Sequence, residues 1–173
     1  MTRIIPIIVL LLLTAAGVRL MTRPKLKNFT PSEFGIWWPF MSADLLLKLD
    51  ALRERRGTPI IISSAAGALG RDDNEADTSQ HNILRWGEVR AVDFFATVPA
   101  ENERGWDYIR DPYDRSKLYQ DMRAVGFTGI GIYTDTSPGN LAHGDVRQDR
   151  TASSPATWAR VGGAYTGIAE VLA

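Results

Sequence analysis

Two segments have the apolar spacing of helices. In residues 42–56, leucines recur every three to four positions opposite a charged face, and Gly57 follows as a helix stop. Residues 116–125 predict a second helix that ends at Gly126. Thr30, followed by Pro31 and by Glu33 three positions on, has the pattern of a helix start with a capping box. The aromatic residues 37–40 beyond it are expected to form a loop.

Other apolar segments are short and predict strands. Residues 58–64 form a brief apolar run, and residues 90–95 alternate so that Ala91, Asp93 and Phe95 share one face. Residues 65–80 between them are polar, without a period, and predict a loop. Two further strands are expected at 129–133 and 142–147, joined by a turn. This mixed order predicts an α+β domain from residue 29 onward, with a small antiparallel sheet flanked by helices.

The amino end has a different character. Residues 4–18 carry no charge, Arg3 and Arg19 flank them, and small residues lie at their end, which is the layout of a secretory signal or a membrane anchor. A run of 15 residues is short of the roughly 20 that span a bilayer. We therefore expect residues 1–21 to direct export or membrane association. If translation starts at Met21 instead, the product is a soluble protein.

The composition limits the partners and the catalytic groups that the chain can use. Twenty basic residues balance 20 acidic ones, which argues against nucleic acid as a partner. The absence of cysteine excludes disulfides, thiolate nucleophiles and cysteine-ligated zinc. Only two histidines occur, His81 and His143, so any imidazole chemistry depends on them.

These two histidines and one carboxylate suggest a metal site. Asp93 lies in an apolar strand, where an ionised carboxylate is costly to bury unless a cation accompanies it. Two imidazoles and a carboxylate are a common set of protein ligands for catalytic zinc, with a fourth position left open. The sequence therefore predicts that His81, Asp93 and His143 bind Zn²⁺, although a nearby arginine could also neutralise Asp93.

The order of these residues resembles a known family. Ser79-Gln-His81, Arg90-Ala-Val-Asp93 and His143-Gly-Asp145 are similar to the motifs of the zinc D-Ala-D-Ala carboxypeptidases and VanY-like peptidoglycan peptidases, including phage endolysins. The resemblance implies a hedgehog/DD-peptidase fold and zinc ligands His81, Asp93 and His143. It also implies hydrolysis of an amide bond in the peptidoglycan stem peptide.

The chain departs from the family pattern in the residues that would hold substrate. His81 and Asp93 are twelve positions apart, more than is usual, so residues 82–86 form an insertion beside the metal. Arg71 is the nearest candidate for the arginine that binds a substrate carboxylate, and it could equally be a solvated loop charge. Ser79 and Trp86 are the other candidate substrate-binding residues.

The general base is not assigned by the sequence. Relatives place an acidic residue three positions before the second histidine, where this chain has Asn140. Asp145 follows His143 by two residues and shares its strand face, so it could be the base or could orient His143. Asp135 is a second candidate that could simply cap a turn.

Aromatic residues offer a binding groove or a core. Trp86, Tyr133 and Trp158 could line a groove beside the metal, but large aromatics are more often packed inside. We expect Trp158 and Tyr165 to close the core.

Two classes of function remain open. The first is an exported zinc peptidase that acts on peptidoglycan on the periplasmic or cell-wall side, or as a virion-borne lysin. The second is a non-enzymatic wall-binding or phage structural protein that keeps the fold, with phage virion proteins as partners.

Overall fold

The structure is a computed structural model that describes residues 23–172. The segment 1–21, for which we expect a signal or anchor, lies outside the described residues. Within residues 23–172, no helix combines the length and apolar character needed to cross a bilayer.

The described chain forms an α+β structure around one mixed sheet, which confirms the α+β prediction. The sheet order is β1-β2-β5-β4-β6-β7, with β3 paired to β2 outside this path. The pairing of β4 with β6 is parallel and the others are antiparallel, so the prediction of an antiparallel sheet is wrong at that pair. The strands are β1 Ile60–Ile62, β2 Ala91–Pro99, β3 Trp106–Tyr108, β4 Gly129–Tyr133, β5 Leu141–Asp145, β6 Ala156–Val161 and β7 Ala164–Thr166.

Three α-helices and two 3-10 helices accompany the sheet. They are the first 3-10 helix Pro31–Phe40, α1 Ala43–Arg56, α2 Ile83–Trp86, α3 Pro112–Ala124 and the last 3-10 helix Ile168–Val171. α1 matches its prediction and ends at Gly57, whose left-handed φ of 64° suits glycine. α3 begins earlier than predicted because the Asp111 carboxylate accepts a hydrogen bond from the Asp114 amide.

The first 3-10 helix corrects one expectation. Glu33 accepts a hydrogen bond from the Thr30 amide at 2.9 Å, as the capping pattern predicts. The aromatic segment 37–40 lies within this helix rather than in a loop, although Gly35 interrupts the helical backbone with φ 53°. Phe34 is fully buried, and the ring of Trp38 lies 5.5 Å from it, so core packing holds the segment in this conformation.

The main core lies on one face of the sheet. Val92, Phe94 and Ala96 of β2 pack there with the leucines of α1 and with Leu118 and Met122 of α3. Because neighbouring residues in a strand point to opposite faces, Asp93 emerges on the other face of β2. The polar side chains of the candidate site gather on that second face.

Candidate metal centre

His81, Asp93 and His143 converge on one point, as the sequence predicts. Asp93 and His143 are direct neighbours across β2 and β5, and His81 arrives from the loop that precedes α2. His143 Nδ1 is 2.8 Å from Asp93 Oδ1 and 3.3 Å from His81 Nε2, and the remaining side of the triangle measures 3.5 Å. Ligands about 2.0–2.1 Å from a tetrahedral zinc ion stand roughly 3.3 Å apart, so the triangle has the size of a three-ligand zinc site.

The outward nitrogen of each imidazole is held by an acceptor. His81 Nδ1 lies 2.6 Å from the carbonyl oxygen of Leu69, which can only accept, so Nδ1 carries the hydrogen. His143 Nε2 lies 3.0 Å from Asp145 Oδ2 and donates to that carboxylate. The nitrogens that face the triangle are then the ones available as ligands. Such outer hydrogen bonds orient metal-binding histidines and increase their basicity.

The carboxylates of Asp93 and Asp145, on either side of His143, favour a positive charge in the cluster. Burial by itself raises the pKa of Asp93, but the hydrogen bond from His143 and the neighbouring His81 imidazole outweigh it and hold that pKa well below its usual range. Burial lowers the pKa of His143, whereas hydrogen bonds to Asp145 and Asp93 raise it to about 9. A proton therefore binds strongly between His143 and Asp93, and a divalent cation in the triangle would take the place of that proton.

Two glycines of β4 make room for this arrangement. A Cβ at Gly129 would lie 2.2 Å from the Asp145 carboxylate, and one at Gly131 would lie 2.5 Å from the indole nitrogen of Trp158. Because neither residue has a Cβ atom, Asp145 can lie behind His143, and the Trp158 ring can approach the His143 ring, with 5.1 Å between their centroids. The alternation of glycine in β4 thus matches the positions of the two groups that flank His143.

A cavity of about 510 Å³ opens beside the three residues. Arg71 and Ser79, which the sequence nominated for substrate binding, both line it. Tyr133, Trp158 and Tyr165 also line it, so the expectation that Trp158 and Tyr165 close the core is wrong. Tyr165 is 69% exposed and lies on the short strand β7, at the edge of the described sheet.

Asp77 is a cavity residue that the sequence did not single out. Apart from Asp93, it contributes the only carboxylate among the described residues that line this cavity, and its nearest basic partner is Arg71 at 3.8 Å. It sits in the polar loop predicted for residues 65–80, where several acidic residues occur without any pattern. Only the folded path of that loop distinguishes Asp77 from its neighbours.

Trp86 lies beside a second cavity rather than the first. Its indole nitrogen donates to the Ser79 carbonyl at 2.8 Å, which folds the short helix α2 back on the loop before His81. The second cavity shares Thr78, Gln80 and Arg147 with the first, which we call the metal-side cavity because it lies beside His81, Asp93 and His143. The predicted insertion at 82–86 therefore forms a wall next to the site.

The two candidate bases do not face the metal-side cavity. Asp145 is completely buried between His143 and Arg147, whose Nε lies 2.9 Å from Oδ1, and this position favours orientation of His143 over proton transfer. Asp135 accepts hydrogen bonds from Arg160 and from the Gly163 amide, which fixes the turn between β6 and β7. The geometry gives a catalytic role for Asp135 no support.

Asn140, at the family's usual base position, is also structural. It is buried, and its carboxamide oxygen accepts a hydrogen bond from Arg115 at 3.0 Å.

The chain matches no protein-family model, no curated protein and no solved structure.

Proposed function

We propose that the chain is a zinc-dependent peptidase that cleaves an amide bond in the stem peptide of peptidoglycan. The main support for a metal site is the triangle formed by His81 Nε2, Asp93 Oδ1 and His143 Nδ1. Hydrogen-bond acceptors fix the outward nitrogens of both imidazoles. A bound zinc ion would supply Lewis-acid activation of water and of the amide carbonyl. Other metals bind imidazole and carboxylate too, but three ligands with this spacing fit zinc well.

The substrate class is supported by the order of the motifs. The segments that end in His81, Asp93 and His143 resemble those of the zinc D-Ala-D-Ala carboxypeptidases and VanY-like peptidases. The hedgehog/DD-peptidase fold is part of the same proposal, and the mixed α+β sheet is compatible with it. A targeting role for residues 1–21 would bring the enzyme to the cell-wall side of the membrane, where this substrate occurs.

Tyr133 is suited to stabilise negative charge on the reacting carbonyl oxygen. Its hydroxyl accepts a hydrogen bond from Trp158 Nε1 at 3.0 Å, which leaves its own hydrogen to donate within the cavity. Burial raises the pKa of Tyr133 to about 12, so the phenol stays protonated at neutral pH. A fixed donor of this kind lowers the energy of an oxyanion.

Asp77 and Arg71 would serve the remaining roles. The Asp77 carboxylate would accept the proton of the attacking water and pass it to the leaving amine, as a general base and then a general acid. The Arg71 side chain is 42% exposed, and its guanidinium would bind a carboxylate of the stem peptide.

Two observations favour the alternative of a non-enzymatic protein that binds cell wall or belongs to a phage particle. Asn140 replaces the acidic residue of the family, and Asp77 stands on a loop rather than on a strand of the sheet. If Asp77 cannot take a proton at the reacting water, the site would bind metal and wall peptide without cleaving it.

Zinc analysis and digestion of purified sacculi test the proposal. We expect about one zinc per chain, and muropeptides whose masses identify the cleaved bond. His143→Ala should lose both, whereas Asp77→Asn should keep zinc while kcat falls roughly 10²–10⁴-fold. Asp44→Asn, the same change at a carboxylate 60% exposed on α1, which packs on the opposite face of the sheet from Asp93, serves as the control. Bound zinc without any cleavage would favour the binding protein, and full zinc in His143→Ala would refute the metal site.

A further inference from the structure

The first 3-10 helix presents large apolar side chains to solvent. Ile36 is 80% exposed and Phe40 is 45% exposed, and the ring of Trp37 lies 6.4 Å from that of Phe40. We call these three residues the aromatic ridge. Single exposed apolar residues are ordinary on protein surfaces, but Ile36 and Phe40 lie within one five-residue stretch, with the half-buried Trp37 between them.

The aromatic ridge is fixed in its exposed position. On one side, Trp37 packs against Gly70, where an added Cβ would lie 2.1 Å from the indole ring. At its end, the Val89 amide donates to the Phe40 carbonyl at 2.8 Å, and Met41 is fully buried. Ile36 and Phe40 therefore cannot turn inward without breaking core contacts.

The amino-terminal part of the chain enters the fold at this ridge. The Arg23 guanidinium donates hydrogen bonds to the carbonyls of Pro39 and Met41, at the end of the 3-10 helix. The apolar residues 4–18 precede this point in the sequence by only a few positions. A membrane that binds residues 4–18 would consequently lie close to the aromatic ridge.

Basic residues accompany the same junction. Arg19, Arg23, Lys25 and Lys27 occur within nine positions that contain no acidic residue. Lys25 and Lys27 are exposed; among the described residues, Lys27 forms a solvent-exposed ion pair with Glu54, and its amide donates to the Asp50 carboxylate. Basic residues next to an apolar segment attract anionic lipid headgroups.

We propose that the aromatic ridge is a membrane-contact surface, which seats the folded domain on an anionic bilayer beside residues 4–18. Tryptophan and phenylalanine side chains favour the boundary between headgroups and acyl chains. An apolar segment of 15 residues is marginal as a lone anchor, and stable attachment commonly needs a second signal. The ridge and its basic neighbours would supply that signal. This proposal is independent of the peptidase activity.

Site-specific fluorescence on the full chain tests the contact directly. The chain has no cysteine, so Phe40→Cys and Ile36→Cys each accept a single polarity-sensitive fluorophore. With vesicles of phosphatidylglycerol and phosphatidylcholine, we expect a blue shift and quenching by nitroxide-labelled lipid. Val161→Cys is the matched control, because Val161 is also 45% exposed but lies by the β6–β7 turn, and its label should stay in water.

A second pair of variants measures the contribution of the ridge. Ile36→Ser combined with Phe40→Ser should raise the lipid concentration for half binding about tenfold, since two apolar side chains no longer enter the interface. Leu47→Ser combined with Val161→Ser, at exposures of 52% and 45%, should leave binding unchanged. Thermal melts verify that both variants stay folded.

Three results would overturn the proposal. The full chain could fail to bind these vesicles, or it could bind them while the labels at 36 and 40 stay in water. The labels could also be shielded before any vesicle is added, in which case residues 1–22 cover the ridge themselves.

Discussion

The carboxylate of Asp145 is fully buried and touches His143 from behind. We predict that Asp145→Asn weakens zinc binding about 10–100-fold, because the amide is a poorer acceptor for the His143 Nε2 hydrogen and leaves Arg147 unpaired. Competition with a chromophoric chelator measures the Kd. Asp44→Asn, on the opposite side of the sheet, should leave the Kd unchanged, and an unchanged Kd in Asp145→Asn would contradict an orienting role.

Individual site residues differ in how well the sequence identified them. The convergence of His81, Asp93 and His143 was predictable because the chain has only two histidines, and because an acidic residue in an apolar strand needs a partner. The sequence did not single out Asp77, and it indicated Tyr133 only as an aromatic residue that could line a groove, although both line the cavity beside the triad. Their proximity to the triad depends on the path of a loop and on the register between strands, which no local pattern encodes.

The glycines of β4 allow side chains from neighbouring strands to lie directly against its backbone. We predict that Gly129→Ala destabilises the fold by about 1–3 kcal/mol, because the new methyl group would overlap the Asp145 carboxylate between His143 and Arg147. Zinc affinity should fall with it. Chemical denaturation measures the free energy of unfolding.

Gly167→Ala is the matched control for this change. Gly167 has an ordinary φ of −67° and open space around its Cβ position, so its substitution should change the free energy of unfolding by only a few tenths of a kcal/mol. Equal effects at Gly129 and Gly167 would mean that the Asp145 carboxylate is not confined as described.

Elements were predictable where their local pattern is strong. Helix α1 has a leucine face and a glycine stop, and β4 matches residues 129–133. Strands β3, β6 and β7 were missed because they are short or half exposed, so their apolar alternation is weak. The parallel pairing of β4 with β6 was missed because strand direction depends on the long connection between them.

At the scale of the whole molecule, the α+β class follows from the mixture of periods, but the position of the site follows from topology. β2 and β5 are neighbours in the sheet although about 50 residues separate Asp93 from His143. His81 is contributed by a loop that has little regular structure of its own. The candidate metal site thus joins the loop before α2 to the centre of the sheet.

With zinc bound as we propose, this arrangement would couple metal binding to stability. Because a three-ligand site is absent from the unfolded chain, zinc at about a thousand times its Kd should stabilise the fold by roughly 4 kcal/mol. For a domain of this size that corresponds to an increase in Tm of about 10 °C. Thermal melts with zinc and with chelator measure the difference. His81→Ala removes the ligand that ties the loop to the sheet, so its Tm should respond little to zinc. An equal increase in both proteins would place the zinc elsewhere.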